Sequence, residues 1–473
     1  MRFTREPRTH RNPSEIQKWL LGRVLRCAAY LGGIAIVLTM VCPQSAQAIN
    51  RDNTGGIVRY VSSEMPRHRD SASNGRTLTP RERMELFEEV WQRINERYYD
   101  PNFNGVNWKA VHDRYLPLAA AVKTDAELYL LLSKMTGELH DAHTRFESPE
   151  ERIDREKLQA VSPGLEINDV DGKAVVTSVE PGSDAERAGI RIGMVVTAVD
   201  GVPVSDRLTE LLPNVAGSST ERAERLRLYH RLLSGEPGTR IRLAVTGADG
   251  SPFQATIMLR IVADVAEVTA RWLPSGSGYI KLNLWQAPGH DRFRTALEQF
   301  RNARGLVLDL RGNPGGEVDE VLKIAGYFLP SRVSFGEFIA RSGRRLDLYA
   351  GHMGNPIYGG PLAILMDESS GSGSEMFAVA MQEAGRAVVV GRRSCGCLLG
   401  IAQFKRMKGG SELAVSELGY VSPLGRRIEG NGITPDEAVQ LTLADLQANR
   451  DLALEDAQAT LRNYMVRTPD GRR

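Results

Sequence analysis

The stretch PLAILMDESSGSGSEMFAVAMQEAGRAVVVG, Pro361–Gly391, decides the fold class. An apolar, strand-like run ends at Asp367. A Ser/Gly turn follows, then a helical pattern, then a second short apolar strand. Strand, tight turn, helix and strand in this order argue for a crossover in a largely parallel sheet. The same alternation extends upstream. GYIKLNL (278–284) and GLVLDL (305–310) read as strands, and DRFRTALEQFRNA (291–303) and EVDEVLKIAGYFL (317–329) as helices. The region is therefore α/β.

In such sheets ligands gather beyond the carboxyl ends of the strands. A serine between PLAILMD and its helix is exposed there, with the helix N–H groups aimed at it and able to bind an oxyanion. The plainer reading is a capping loop, with Ser374 as an ordinary N-cap before Glu375. A second glycine-rich strand end, RGNPGG (Arg311–Gly316), favours chemistry, because glycine lets a backbone approach a substrate carbonyl and donate to it.

Working outward, texture divides the chain. Residues 1–48 carry seven Arg/Lys against two Asp/Glu, and an uncharged run of 16 residues, Cys27–Cys42, precedes Ala46-Gln47-Ala48. This reads as a cleaved export signal, the run being short for a membrane span of about 20 residues. An uncleaved anchor is the alternative. Residues 49–79 are a polar linker. Residues 80–147 carry amphipathic helical patterns, with Met84, Phe87, Val90, Trp91, Ile94 and Tyr98 on one face. Residues 160–265 hold short strands with glycine punctuation and a helical insert near 205–235. The α/β core spans 270–440, and LADLQANRDLALEDAQATLRNYM predicts one C-terminal helix within 441–473. Of the net charge of +2, the leader holds +5 and the remainder −3, which gives no nucleic-acid footprint.

DLRGNPGG, SSGSGSE, GRAVVVG and IEGNGITPD, in this order, resemble the core of the C-terminal processing peptidases, exported serine endopeptidases. PGLEI followed by VEPGSDAERAGIRIGMVVTAVDGVPV resembles their PDZ domain, with Met194 where Asp is usual, and LHDAHTRFESPEE resembles their Asp-x-His segment. The resemblance implies a crotonase/ClpP-like catalytic core with an inserted β-rich PDZ domain and a small N-terminal helical domain. It implies Ser372 as nucleophile, an oxyanion hole from Gly373 and Gly316, and a carboxylate-binding loop at Gly164, Leu165, Glu166 and Ile167. It implies no cofactor and no metal. The expected partners are polypeptides held by their C-termini, with an adaptor protein or an oligomer left open. The expected place is the periplasm.

One position departs from the pattern. The family's usual base is a lysine in a Phe-Gly-Lys-Gly setting. SCGCLLG (Ser394–Gly400) aligns there without a gap and puts Cys397 in the lysine's place. Three readings stand. His143 matches a histidine that serves as base in tricorn-like relatives, which also use a glutamate matching Glu429; an imidazole of pKa about 6.5 suits the task. The protein has lost catalysis and remains a PDZ scaffold. Or the base is Cys397 itself, or a downstream Lys405 or Lys408. With Cys27 and Cys42 in the leader, Cys395 and Cys397 are the mature chain's cysteines and can pair with each other, Gly396 permitting the reversal.

Overall fold

A computed structural model describes residues 77–212, 217–351 and 358–467. The leader and nearly all of the linker lie outside the described residues.

Three helices, Pro80–Arg97, Trp108–Ala121 and Asp125–Gly137, form the first layer. The first is set by a capping box: Glu82 N donates to Thr79 Oγ1 at 3.2 Å, and Thr79 N donates back to Glu82 Oε2 at 2.9 Å. Its apolar face, with Leu86, Phe87 and Ile94, packs with Trp108, Leu128 and Leu132. Leu413 and Val415 join this cluster from a later strand, so the layer is built onto the α/β region.

After strand Arg145–Glu147 the chain leaves through Gln159–Ser162 and returns through Arg260–Ala263. These two segments pair antiparallel with each other, Gln159 opposite Ala263. Between them lies a six-stranded sheet whose main path runs Leu165–Val170, Lys173–Val179, Val195–Val199, Arg240–Thr246, Pro252–Met258. Helices Val204–Leu211 and Glu221–Arg231 occupy the helical insert. The unit has its own core, including Ile167, Val176, Leu243 and Ile257.

The α/β region is built on a second six-stranded sheet. Its order is Val268–Trp272, Gly278–Leu282, Leu306–Asp309, Leu362–Met366, Val388–Gly391, Glu437–Ala438. The first pair is antiparallel and the rest are parallel. Alternating side chains bury both faces. Ile280, Leu308 and Ile364 meet the helices that include Phe293, Val321 and Phe377. Tyr279, Val307 and Leu365 meet Ala453, Ala457 and Leu461 of the final helix. An antiparallel sheet formed by Arg145–Glu147, Glu412–Val421, Val333–Ala340, Arg345–Ala350 and Leu399–Arg406 completes the region.

The single C-terminal helix predicted from sequence is two helices, Leu443–Gln447 and Leu452–Arg467. Asn449 takes φ 52°, which ends the first. Asp451 starts the second by accepting from Leu454 N at 3.1 Å.

Candidate active site

Strands Leu306–Asp309 and Leu362–Met366 are parallel neighbours, Leu308 opposite Ile364. Their carboxyl ends therefore deliver the two glycine-rich turns side by side. Hydrogen bonds zip these turns together. Asn313 O accepts from Gly371 N at 3.1 Å and from Ser374 Oγ at 3.0 Å. Asn313 Oδ1 receives Gly315 N, and its Nδ2 donates to Leu282 O. Arg311 bonds to the buried Asp309 and, through Nη1 and Nη2, to Asp451 at 2.8 and 2.9 Å. Ser374 is not the helix cap that the plain reading of the sequence offered. It is fully buried, and its Oγ receives Trp285 Nε1 at 2.9 Å. The helix begins instead at Gly373, with Ser372 in the capping position.

Ser372 has φ 47° and ψ −112°, a conformation few L-residues adopt. The turn places it at the head of the helix. Gly315 presses on it: a β-carbon there would lie 2.6 Å from Ser372 Cβ. Gly316, at φ 137°, has room for none, because a β-carbon would stand 2.1 Å from Trp285 O. Gly373 lies against it, a β-carbon at Gly373 falling 3.5 Å from Gly316 N. Gly315, Gly316 and Gly373 thus pack closely around Ser372, with no room for side chains between them.

Ser372 N donates to Cys397 O at 2.9 Å and to Glu375 Oε2 at 3.1 Å. Glu375, fully buried, also receives Ser394 Oγ (2.6 Å), Gly396 N (2.7 Å) and Cys397 N (3.0 Å). Burial pushes its carboxyl up to about 7 against these four bonds. Sequence reasoning passed over Glu375, although the Ser-x-x-Glu spacing at a helix start was the available signal.

Cys395 and Cys397 are joined by a disulfide, with Gly396 between them at φ 75°. In this state Cys397 has no thiol and cannot serve as base. Lys405 is exposed on its strand, and Lys408 is paired with Glu85 of the first helix.

His143 stands in the turn before strand Arg145–Glu147. The buried Asp141 shapes that turn, accepting from His143 N at 2.7 Å and from Thr144 Oγ1 at 2.5 Å. The imidazole Nδ1 is buried with no hydrogen-bond partner. Burial lowers the ring's pKa to about 4, with Arg145 and Arg227 adding to the fall and Asp141 opposing it. No hydrogen bond joins the ring to Ser372 among the described residues. His140 is mostly exposed, with Glu224 Oε1 at 3.7 Å from its Nδ1.

Glu429 is buried. Its Oε2 receives Leu398 N at 2.6 Å, and its Oε1 has no partner. Burial and the neighbouring Asp141 raise its carboxyl to about 8, against hydrogen bonds from the Ser219 hydroxyl and Leu398 N. A strap made of the start of helix Glu221–Arg231 and the residues just before it bonds to the His143 turn and to the cysteine loop. Ser219 Oγ receives Ala142 N at 2.9 Å, Thr220 Oγ1 donates to Cys395 O at 2.7 Å, and Arg222 Nη2 donates to Ser394 O at 3.1 Å. Nothing in the sequence singled out this strap, whose partners lie far away in the chain.

In the inserted unit, Gly164 is held at φ 76°, where a β-carbon would meet Ser183 Cβ at 2.4 Å. Leu165, Glu166 and Ile167 open strand Leu165–Val170, which is the edge of its sheet. Among the described residues there is no metal-binding group of three or more His, Cys, Asp or Glu, and no helix long and apolar enough to cross a membrane.

The peptidase family S41 model matches residues 276–439, the tricorn protease C1 domain model 79–137 and a PDZ domain model 175–228. The chloroplastic carboxyl-terminal-processing peptidase 2 of Arabidopsis thaliana is 30% identical over 371 residues, 74% of this chain and 68% of that protein. This chain belongs to the C-terminal processing peptidases. The carboxyl-terminal-processing protease of Picosynechococcus sp. is 28% identical over 77% of this chain and 85% of that relative. Among solved structures, the photosystem II D1 C-terminal processing protease superposes with TM-score 0.54 at 25% identity, covering 80% of this chain and 97% of that one. Mature CPAF reaches TM-score 0.64 at 13% identity, covering 83% and 99%, a likeness of fold. A C-terminal processing peptidase is a serine protease with a PDZ domain, and this chain carries both parts.

Proposed function

We propose that this chain is an exported endopeptidase that cleaves polypeptides held by their C-termini at the PDZ domain, with Ser372 as nucleophile, His143 as base and Glu429 as the carboxyl group behind it. The observation that carries the reading is the strained Ser372 turn with Gly316 and Gly373 packed against it, and support comes from two buried atoms without a partner, His143 Nδ1 and Glu429 Oε1. A ring with its pKa near 4 is a free base at neutral pH, as proton abstraction from Ser372 requires. Ser372 Oγ would attack the scissile carbonyl, its proton would pass to His143, and the Gly373 and Gly316 amides would hold the oxyanion. His143 would return the proton to the leaving amine, and water would repeat the cycle on the acyl-enzyme. Peptide capture follows the edge strand Leu165–Val170, to which an extended C-terminus adds as a further strand. The basic leader, the paired cysteines and bacterial and chloroplastic relatives support export, with the periplasm as the place.

The test compares wild type, Ser372→Ala and His143→Ala on an unfolded polypeptide with an apolar C-terminus. Both variants should lose cleavage. Cleavage surviving Ser372→Ala removes the serine mechanism, and cleavage surviving His143→Ala moves the base elsewhere. Peptide binding with no cleavage by wild type makes the protein a PDZ scaffold.

A further inference from the structure

We propose that the Cys395–Cys397 disulfide is the positioning element of this catalytic site, and that its reduction switches the peptidase off. The proposal rests on the serine-peptidase reading above.

The five residues Ser394–Leu398 are where the separate parts of the site meet. Cys397 O receives the nucleophile's own amide, Ser372 N. Three successive amides turn outward to two buried carboxylates: Gly396 N and Cys397 N to Glu375, Leu398 N to Glu429. On the outer side Ser394 O and Cys395 O receive Arg222 and Thr220 from the strap of the PDZ unit. Cys395 N donates to Ser370 O, and Gly430 N donates to Gly396 O. The loop thus fixes nucleophile, carboxylate and PDZ strap at once, and the disulfide closes it across one residue. It occupies the position where the family pattern has its lysine.

The loop has little room to change shape. A β-carbon at Gly396 would meet Thr220 Cγ2 at 2.8 Å and Gly432 N at 2.9 Å. On the other side, a β-carbon at Gly371 would lie 3.6 Å from Cys395 Cβ. Two thiols cannot stay at the bonding distance of about 2 Å and must part to van der Waals contact. That displacement falls on the Ser372 turn or on the strap.

The chemistry is a thiol–disulfide exchange. Cys397 is buried, whereas Cys395 is half-buried. A reductant thiolate attacks Cys395 Sγ, forming a mixed disulfide and expelling Cys397 as thiolate. A second reductant thiolate cleaves the mixed disulfide. Two reductant thiols end as one disulfide, and the two cysteines, having gained two electrons and two protons, end as thiols.

The experiment uses the full chain, oxidised, reduced with dithiothreitol and reoxidised, with thiols titrated in each state. It reads kcat and KM of Ser372-dependent cleavage, and hydrogen exchange across residues 369–374, 394–399 and 218–223. Reduction should lower kcat by about 10²-fold, the scale of an ångström-sized misplacement, with KM moving less. Reoxidation should restore it. Cys395→Ser/Cys397→Ser should sit at the reduced level and ignore dithiothreitol. Exchange at 394–399 should rise at least about tenfold on reduction of wild type, as local opening replaces protection. Undiminished kcat with both thiols titratable overturns the proposal, as does a double variant that still responds to reductant. If neither state shows Ser372-dependent cleavage, the peptidase reading fails, and the exchange arm still decides this one: unchanged exchange overturns it.

Discussion

Replacing Ser372 by glycine should make the protein more stable than replacing it by alanine, although both changes should abolish cleavage. The reason is the backbone at φ 47°, ψ −112°. A non-glycine residue in a sparsely populated region stores roughly 1–3 kcal/mol. Alanine keeps the β-carbon and therefore keeps the strain. Glycine releases it, at a cost of about 0.5–1 kcal/mol in unfolded-chain entropy. The β-carbon lies against Gly315, which carries none, so its removal leaves only a small void. The difference should be about 1 kcal/mol in favour of glycine, after the entropy is subtracted from the strain. Urea unfolding of the two variants, read by far-UV circular dichroism at neutral pH, measures it as a shift in midpoint at constant slope. Equal stabilities, or a less stable glycine variant, would refute the claim that the fold holds its nucleophile under strain.

Two further outcomes follow from the same geometry. Glu429 carries its proton up to about pH 8, so the negative charge able to stabilise a His143 imidazolium appears only above that pH; kcat/KM should rise through pH 8, and Glu429→Gln should remove the rise. A rise that survives in the variant assigns it to another group. Gly316→Ala would place a methyl on Trp285 O at φ 137°, so a destabilisation of several kcal/mol and loss of cleavage are expected in unfolding and peptide assays.

The layout of the catalytic sheet was legible because apolar strands ending in glycine turns are a local signal, and both turns stand where that signal put them. The strand-to-helix junction at Ser372 was legible for the same reason. What stayed hidden was long-range. Glu375 reads as one more helix carboxylate until the fold brings Gly396 and Cys397 onto it. Thr220 and Arg222 reach Ser394 and Cys395 across more than 170 positions, and no periodicity encodes such a contact. The break at Asn449 was missed because the apolar pattern continues through it, while a single residue at positive φ ends the helix.

The Arg311 clamp has a meaning in time as well as in space. Asp309, two residues away, is made almost with it, but Asp451 follows 140 positions later. Ala453, Ala457 and Leu461, which cover the far face of the sheet, come later still. A growing chain therefore holds both glycine turns long before it can brace them. The nascent peptidase fold therefore carries its two glycine turns unbraced until residues about 80 to 140 positions further on have been made.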